Sequence, residues 1–322
     1  MNNKISLIIP VKNEASSIGK LLDSVFLQSR IPDEIVITDA GSNDTTRDIV
    51  EARKAGPVTI RLIKAGSAYP GTARNIAIKN ATSPLIAMTD AGMCLDSIWL
   101  EDLERKFTEY PDTDVVYGVF EPVTDTFLKE CVAVNIFPGL KNVDGEFMRS
   151  ASVASCMMKR SVWEAVGGFP DLRTAEDKIF MDRIKGRGFK IRYSSRARIF
   201  CDVDDDVIRL FKKLSFYSMH GLIGGRFNDW HRSVVVVYIF SIVMVLAGLI
   251  FSPIFFIAIP ALMLVRAFKM AVQKMPDKSL WYILNPVRVV LTASIMILSD
   301  IALLWGIVRY WVSRAVRQKE LI

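Results

Sequence analysis

Two acidic residues stand at the ends of apolar, strand-like runs in the first third of the chain. Asp39 follows EIVIT and Asp90 follows PLIAMT, and each is followed by Ala-Gly. Carboxylates at adjacent strand ends can accept hydrogen bonds from a ribose or a base and can hold a hard cation through oxygen. Asp before Gly is also a common turn former, but two such residues at one sheet edge favour a nucleotide site.

The segment after Asp39 adds to this prediction, because the turn leads into a helix whose N-terminus would favour a phosphate group. Competing motifs are missing from the sequence. No Gly-x-Gly-x-x-Gly follows the first apolar run, and Gly19-Lys20 has Glu14 where a P-loop needs its first glycine. Both histidines, His220 and His231, lie in or beside a strongly apolar region, so a Ser-His-Asp set is not predicted.

Strand-like and helical patterns alternate at short spacing through this part of the chain. Apolar, β-branched runs predict strands and 3.6-residue periodicity predicts helices, in the order strand 5–10, helix 18–29, strand 34–42, helix 43–50, strand 58–63, helix 72–81 and strand 84–90. This alternation predicts an α/β fold with a doubly wound, mostly parallel sheet. Such sheets bind ligands at the carboxyl ends of their strands, where Asp39 and Asp90 stand. From about 115 to 205 the pattern is less regular.

The last third of the chain has a different composition. Residues 1–208 carry 27 Lys+Arg against 30 Asp+Glu, whereas residues 209–322 carry 14 against 4. The mean hydropathy of +0.28 is high for a soluble enzyme. Because the basic excess belongs to the apolar end, it indicates a membrane surface, and a nucleic-acid partner is not expected. The four cysteines are widely separated without a Cys-x-x-Cys pair, which predicts reduced thiols.

The apolar part predicts membrane segments. Residues 207–220 form an amphipathic helix suited to a membrane interface, although an ordinary surface helix has the same pattern. Residues 233–265 contain no charged side chain and are too long for one span, so we predict two spans broken at Ser252-Pro253. The predicted domains are a catalytic domain at 1–206, an interfacial helix and linker at 207–232, and a membrane domain at 233–322. The last has apolar segments at about 233–251, 253–268 and 287–308, followed by a basic tail.

The orientation of these segments is only partly determined by sequence. Basic residues flank the first two segments and favour a cytosolic location for residues 226–232 and 266–278, with the catalytic domain at the cytoplasmic side of a multi-pass cell-membrane protein. A third crossing would then place Arg309, Arg314, Arg317 and Lys319 outside, against the same rule. Either the third segment does not fully cross or the rule fails here. Asp300 in this segment should face protein or water rather than lipid.

Six segments in order resemble family 2 glycosyltransferases of GT-A fold, over about residues 4–200. They are ISLIIPVKNEASSIGKLLDSVFLQ, EIVITDAGSNDTTRDIV, GTARNIAI, TDAGMCLD, MMKRSVWEAVGGF and TAEDKIFMDRIKGRGFKI. The resemblance implies an inverting sugar transfer from a nucleotide-sugar. It also implies a nucleotide-sugar site made of Pro10, Val11, Asn13 and Glu14 (the P-x-x-N-E loop), Asp39, Arg74 and Asn75 (the A-R-N signature) and Asp90 (the first position of D-x-D).

The resemblance further implies that Glu176 and Asp177 match the E-D motif, with Asp177 as the general base. A helix cap is the alternative explanation for this segment, because Thr174 would be the cap and Asp177 its third following residue. The two roles are compatible. Trp163, Val166 and Phe169 are expected in the core and in the wall of the acceptor side, and Gly167-Gly168 is expected to end a helix.

Two positions depart from the family pattern. Ala40 replaces a second Asp, which affects nucleobase recognition. Gly92 replaces the second carboxylate of D-x-D, commonly the direct metal ligand, so dependence on Mg²⁺ or Mn²⁺ is doubtful. Asp90 would hold such an ion with the phosphates, with help from Asp96. Basic side chains could instead neutralise the leaving diphosphate; the candidates are Arg209, Lys212, Lys213 and Arg226.

The sequence therefore predicts a membrane-bound enzyme that adds one sugar to a membrane-associated acceptor such as a polyprenyl phosphate, a glycolipid or a lipid-linked glycan. No Q-x-x-R-W motif of processive synthases is present, which favours single-sugar addition. The alternative is a non-catalytic scaffold that binds a nucleotide-sugar, suggested by Ala40 and Gly92. A nucleotidyltransferase would need a Gly-rich loop with Arg or Lys after the first strand, and VKNEASS is not such a loop.

Overall fold

The computed structural model describes residues 4–143, 145–149 and 151–319. The chain folds into two compact units, Met1–Val123 with Lys141–Asp202, and Thr124–Leu140 with Val203–Ile322. The predicted catalytic domain ends at 206, close to the boundary at Asp202, but it includes residues 124–140. In the structure that segment belongs to the second unit, because its apolar side chains pack on the C-terminal helices.

The first unit contains ten strands and six helices among the described residues. The strands are β1 (Ile5–Val11), β2 (Glu34–Asp39), β3 (Ile60–Lys64), β4 (Leu85–Met88), β5 (Met93–Leu95), β6 (Val115–Val123), β7 (Lys141–Val143), β8 (Glu146–Met148), β9 (Cys156–Lys159) and β10 (Ile191–Asp202). The helices are α1 (Ile18–Phe26), α2 (Thr46–Ala52), α3 (Pro70–Asn80), α4 (Trp99–Glu109), α6 (Arg160–Val166) and α7 (Glu176–Gly186), with a 3₁₀ turn at Val153–Ser155. The second unit supplies α5 (Phe127–Ile136), which comes between α4 and α6 in the chain.

Eight of the strands form one sheet in the order β3-β2-β1-β4-β9-β6-β10-β5. Strand β1 pairs in parallel with β2 and β4, β2 with β3, and β6 with β10. Strand β9 runs antiparallel between β4 and β6, and β5 is antiparallel to β10 at the edge. The predicted mostly parallel α/β sheet is confirmed. The antiparallel strand β9 was not predicted, because CMMK is a short apolar run that periodicity alone cannot assign.

Helices cover both faces of the sheet and bury two apolar clusters. One face packs against α1 and α4, with Ile18, Leu22 and Trp99 fully buried. The other packs against α3, α6 and α7, with Phe180 and Ile184 fully buried. This double covering explains the continuous apolar run of β1, since a strand buried on both faces has no polar side. Helix α6 ends as predicted at Gly167 and Gly168, whose φ angles of 78° and 69° favour glycine.

The second unit is helical. After α5 it contains α8 (Val207–Ile223), α9 (Phe227–Trp230), α10 (Arg232–Ile250), α11 (Ala258–Lys274), α12 (Leu280–Ile283) and α13 (Pro286–Lys319), with a 3₁₀ turn at Pro253–Ile257. Three segments are long and apolar enough to cross a membrane, Arg232–Ile250, Pro253–Lys274 and Pro286–Ala315. The predicted break at Ser252-Pro253 is therefore confirmed. The end of the predicted basic tail, residues 320–322, lies outside the described residues.

A buried carboxylate at the start of β2 links three elements of the sheet unit. Glu34 accepts hydrogen bonds from the Ser6 hydroxyl at 2.5 Å, from the Thr82 hydroxyl at 2.8 Å and from the Arg61 guanidinium at 2.5 Å. Burial alone raises the pKa of Glu34, but the hydrogen bonds from Ser6 and Thr82 outweigh it and hold the pKa below its ordinary value of 4.5. The charged form is therefore the one that stabilises the fold.

We predict that Glu34→Gln lowers the free energy of unfolding by about 1.5–3 kcal/mol at pH 7, the usual contribution of hydrogen bonds to a charged group. A group with a lowered pKa stabilises the protein above its unfolded pKa, and this contribution is lost as pH falls through the folded pKa. The difference between variant and wild type should therefore shrink below about pH 4.5. Thermal denaturation of both proteins in detergent at pH 7 and pH 4 measures this difference in stability. The control Glu51→Gln, at an exposed ion pair, should change the free energy of unfolding little at either pH.

Candidate active site

The loops after β1 and β2 are joined by a set of hydrogen bonds. The Asn13 backbone N–H donates to the Ser42 hydroxyl at 2.9 Å, and the Asn43 N–H donates back to Asn13 Oδ1 at 2.9 Å. The Glu14 N–H donates to Thr46 Oγ1 at 2.7 Å. Asn13 has a φ of 57°, a left-handed conformation that Asn tolerates better than most residues. These bonds fix the relative position of two loops that the resemblance assigns to the nucleotide.

Asp39 lies at the base of these loops. Its side chain is buried, Oδ1 accepts the Ser42 N–H at 3.1 Å, and Oδ2 lies 3.6 Å from the Arg47 Nε. Gly41 follows with a φ of 86°, and a Cβ there would lie 2.8 Å from the carbonyl oxygen of Gly66. This turn therefore requires glycine, which lets the loops after β2 and β3 approach closely.

Pro10 and Val11 are strand residues rather than loop residues. In β1 they pair with Thr38 and Asp39 of β2. The Val11 side chain is buried in the core, and its carbonyl accepts the Ala40 N–H at 2.9 Å. Ala40 itself is buried.

Arg74 brings together two acidic residues from distant parts of the chain. It lies on α3 and is 4% exposed. Its Nη2 donates to Asp90 Oδ1 at 2.6 Å and its Nη1 to Glu176 Oε1 at 3.1 Å. The guanidinium also lies 5.6 Å from the centre of the Phe169 ring. The A-R-N, D-x-D and E-D motifs, separated by up to 102 residues in sequence, thus meet at one buried guanidinium.

The electrostatics of this cluster follow from burial. Burial alone lowers the pKa of Arg74, but the Asp90 and Glu176 carboxylates outweigh it and raise that pKa, so the guanidinium stays charged. Burial raises the pKa of Glu176, Arg74 opposes the rise and the nearby Asp177 charge adds to it. Burial also raises the pKa of Glu14, whose carboxylate accepts the Ser17 hydroxyl at 2.6 Å and is repelled by Asp90 and Asp44.

Asn75, the last residue of the A-R-N signature, makes hydrogen bonds within the protein. Its Nδ2 donates to the Phe169 carbonyl at 2.8 Å, and its Oδ1 accepts the Trp163 Nε1–H at 2.8 Å and the Phe169 N–H at 2.9 Å. Gly168 lies against it, since a Cβ at Gly168 would be 2.7 Å from Asn75 Oδ1. The amide therefore holds the segment that places Phe169 beside Arg74. Its assignment to the nucleotide stays a prediction.

Helix α7 starts differently from the cap predicted for it. The N-cap is Ala175 rather than Thr174, and no side chain caps the helix. The Thr174 hydroxyl is buried without a hydrogen-bond partner, so the predicted cap is wrong. Ala175 has a φ of 67°, where a non-glycine residue is strained. This turn directs Glu176 inward to Arg74, while Asp177 is half-buried and accepts the Lys178 N–H at 2.7 Å.

The carboxylates do not form a metal site by themselves. Within residues 4–143, 145–149 and 151–319, no three His, Cys, Asp or Glu side chains come together as a metal-binding group. Asp90 is bound to Arg74, and Asp96 lies 3.0 Å from Arg198 and accepts the Ile98 N–H at the start of α4. These protein side chains alone therefore do not provide enough ligands for a divalent cation. A cation bound here would need further ligands from the substrate. The basic candidates Arg209, Lys212, Lys213 and Arg226 belong to the second unit.

Several residues of the site were missed by sequence reasoning. Ser42, Thr46 and Arg47 hold the loops around Asp39. Phe169, expected in the core and the acceptor-side wall, contacts Arg74. The hydroxyls and cation directly after Asp39 were the available signal, since Ser and Thr often bond backbone groups in turns. No local signal indicates the contact of Phe169.

The comparisons with known proteins agree with this architecture. The mannosyltransferase PcManGT from Pyrobaculum calidifontis, solved in complex with GDP-Man and Mn²⁺, superimposes with a TM-score of 0.63 at 18% identity. The superposition covers 95% of this chain and 88% of that one. At this identity the likeness shows the fold alone, and it confirms the predicted GT-A fold.

Curated relatives match at higher identity over part of the chain. The O-antigen chain rhamnosyltransferase RfbN of Salmonella typhimurium is 28% identical over 209 residues, or 60% of this chain and 65% of its own. The glycosyltransferase AglE of Haloferax volcanii is 26% identical over 208 residues, or 59% of this chain and 64% of its own. The chain thus covers less than two thirds of the length of each.

The family assignment rests on a match to a family model. A family model described as glycosyl transferase family 2 matches residues 6–167, half of the chain. The match includes the loops after β1 and β2, Arg74 and Asp90. The chain therefore belongs to glycosyl transferase family 2.

Proposed function

We propose that this protein is a membrane-bound inverting glycosyltransferase. It moves one sugar from a UDP- or GDP-linked donor to a membrane-associated acceptor, such as a polyprenyl phosphate, a glycolipid or a lipid-linked glycan, in the synthesis of cell-envelope polysaccharide or glycolipid. The observation that carries the proposal is the buried Arg74, which joins the donor-side Asp90 to Glu176, the neighbour of Asp177.

The roles of the two acidic residues follow from their surroundings. Glu176 is 7% exposed and bound to Arg74, so it positions the start of α7. Asp177 is half-buried and more accessible, so it is the general base. Asp177 takes the proton of an acceptor hydroxyl as that oxygen bonds to the anomeric carbon. The bond from this carbon to the diphosphate breaks on the opposite face, and the nucleoside diphosphate leaves with the electron pair.

The donor end of the site combines Asp39 with the joined loops Pro10–Glu14 and Asp39–Thr46. The Asp39 carboxylate is held by Ser42 and Arg47, which suits hydrogen bonding to the nucleoside. Ala40 offers no second carboxylate, so recognition of the base depends on Asp39 and the backbone of these loops. A metal requirement is not part of the proposal.

The proposal that the protein is membrane-bound rests on the second unit. Three of its segments are long and apolar enough to cross a membrane. Helix α8 exposes Ile208, Tyr217 and Ile223 together with Lys212 and Lys213, a combination suited to the membrane interface. The catalytic unit would lie at the cytoplasmic side. The name of the relative RfbN also refers to a cell-envelope glycan.

Gly92 offers a direct test of whether the absence of a second D-x-D carboxylate weakens metal binding. A Cβ at Gly92 would meet no atom within 4 Å and its φ is not positive, so Gly92→Asp should fold normally and complete the D-x-D pair. We expect the variant, with a nucleoside diphosphate present, to bind Mn²⁺ at least about tenfold more tightly than wild type, since added carboxylate charge raises the affinity for hard cations. Calorimetric titration with Mn²⁺ measures this.

Gly92→Asn is the matched control for this prediction, because it has the same shape without the charge. An equal affinity in Gly92→Asp, Gly92→Asn and wild type would mean that residue 92 does not face the diphosphate.

The function is tested by binding of nucleotide-sugars to the purified protein in detergent. A panel of UDP- and GDP-sugars, with Mn²⁺ or with EDTA, is read as thermal shift, and transfer is then measured with polyprenyl phosphate as acceptor. We expect stabilisation by one nucleotide class and sugar transfer. Binding without transfer to any membrane acceptor would favour a non-catalytic scaffold, which the departures at Ala40 and Gly92 suggest. No shift with any donor would contradict the proposal.

A further inference from the structure

Helix α13 exposes apolar residues on one face only over its described side chains, unlike α10. The large apolar residues exposed on α13 all lie within about a third of the helix circumference at 100° per residue. Each is at least 47% exposed; they are Val287, Val290, Ile301, Trp305, Val308, Trp311 and Val312. Helix α10 instead has no charged side chain over residues 233–250, and its exposed apolar residues cover more than half of its circumference. They are Val236, Ile239, Phe240, Ile242, Val243, Val245, Leu246, Leu249 and Ile250. A helix apolar all round suits insertion in lipid, and a single apolar stripe suits a helix lying at a surface.

The N-terminal end of α13 is bound to α5. Arg288 is 2% exposed, its Nη1 donates to Glu130 Oε2 at 2.8 Å, and its guanidinium lies 4.5 Å from the centre of the Phe127 ring. One turn later, the Thr292 carbonyl accepts the Asn135 side-chain amide at 3.2 Å. The first turns of α13 therefore cannot lie far from α5.

Helix α5 is tethered to the sheet by a short connection. It begins at Phe127, and β6 ends at Val123. Four residues span at most about 14 Å, whereas the hydrocarbon core of a bilayer is about 30 Å thick. The start of α13 is thus on the same side of the membrane as the sheet.

The C-terminal half of α13 is bound to α8. The Ser218 hydroxyl donates to the Leu303 carbonyl at 2.6 Å, and Arg309 Nη1 donates to the Ser215 hydroxyl at 3.3 Å. Gly306 lies against Ser218 with no room for a side chain. The two helices are antiparallel at this contact, so the beginning of α8 lies near the end of α13.

The beginning of α8 is also held on the side of the sheet. It starts at Val207, five residues after β10 ends at Asp202, which allows about 17 Å. Arg209, Lys212 and Lys213 are exposed there. A charged side chain is costly to place at the bilayer centre, so this part of α8 is excluded from the hydrocarbon.

We infer that α13 does not cross the membrane but lies along its surface, with both ends on the side of the sheet and the apolar stripe against the lipid acyl chains. The α10–α11 hairpin enters the bilayer and returns to the same side. Arg266 of α11 donates to Asp300 of α13 at 2.8 Å, so the two charges neutralise each other where these helices meet. The basic residues after α10–α11 and at the end of α13 then all lie on one side, as the positive-inside tendency requires.

The test is the sidedness of two positions in the full chain. Asp277, in the loop after α11, and Arg314, near the end of α13, are both exposed. Asp277→Cys and Arg314→Cys are each made in a Cys94→Ser, Cys201→Ser background, and a membrane-impermeant maleimide is applied to sealed vesicles of either orientation. Cys94, exposed in the sheet unit of the wild type, marks the side of the sheet.

We expect both positions to react from the side on which Cys94 reacts, with labelling at least about tenfold faster than from the other side. Reaction of Arg314→Cys from the side opposite to Asp277→Cys would overturn the inference, and so would its protection from both sides. Arg314→Cys removes a charge that influences topology. A second experiment therefore adds a protease site after Ile322 of the otherwise wild-type chain and measures from which side of the vesicle this site is cleaved. Cleavage only from the side opposite to Cys94 would also overturn it.

Discussion

Asp177→Asn should reduce kcat about 10²- to 10⁴-fold, the range over which a positioned general base accelerates a reaction. The amide has the same shape and keeps an oxygen for the Lys178 N–H, but it cannot accept the proton of the acceptor hydroxyl. Nucleotide-sugar binding should be unchanged, because Asp177 acts on the acceptor side. Initial rates of sugar transfer and thermal shift with the donor measure the two effects separately.

Asp182→Asn is the matched control, since it makes the same change on the exposed face of the same helix. It should retain activity within about twofold. Retention of transfer by Asp177→Asn at a similar level would remove Asp177 from the mechanism. Glu176 would not then take its place without rearrangement, because its carboxylate is bound to Arg74.

Arg74→Ala should lower the free energy of unfolding of the sheet unit by about 3–5 kcal/mol, the usual cost of removing one partner of a buried ion pair. The loss leaves Glu176 buried without its cation, and it removes the bond that holds Asp90. For a unit of this size the melting temperature should fall by roughly 2–4 °C per kcal/mol. Thermal denaturation in detergent measures the change, and transfer activity should be lost in parallel.

Two further variants separate the effect of the positive charge at position 74 from the effect of its contacts with the two carboxylates. They are Arg74→Lys and the double variant Arg74→Ala/Glu176→Gln. Lysine keeps a charge but cannot contact both carboxylates through two separate nitrogens, so its stability should lie between wild type and Arg74→Ala. The double variant should recover part of the stability lost in Arg74→Ala, because no uncompensated charge is buried at position 176. A double variant less stable than Arg74→Ala would show that Glu176 is not held by this ion pair.

Local sequence patterns predicted the first half of the sheet well. Strands β1, β2 and β4 are continuous apolar runs ended by turn residues, and a pattern of that kind depends on neighbouring residues alone. The alternation with α1 and α3 then implied a parallel sheet, and the ends of β2 and β4 located Asp39 and Asp90. Arg74 and Glu176 were assigned from the family resemblance.

The contacts within the site were beyond local patterns. The bond between Arg74 and Glu176 joins residues 102 positions apart, and no short-range signal encodes it. The position of Asn75 against Phe169 and the conformation of Ala175 depend in the same way on the packing of α3 against α6 and α7. The wrong cap at Thr174 has the same origin, because the tertiary fold placed this hydroxyl away from the helix end.

By itself, the sequence determined the α/β alternation, the apolar helices of the last third and the acidic residues at the strand ends, because each is a property of a short segment. Only the tertiary structure decided that Arg74 joins Asp90 to Glu176, that β9 inserts antiparallel into the sheet and that α5 packs with the C-terminal helices. It also decided which faces of α13 are covered. These features arise from contacts between segments far apart in sequence, and such contacts form only where the chain can bury apolar surface and pair buried charges at the same time.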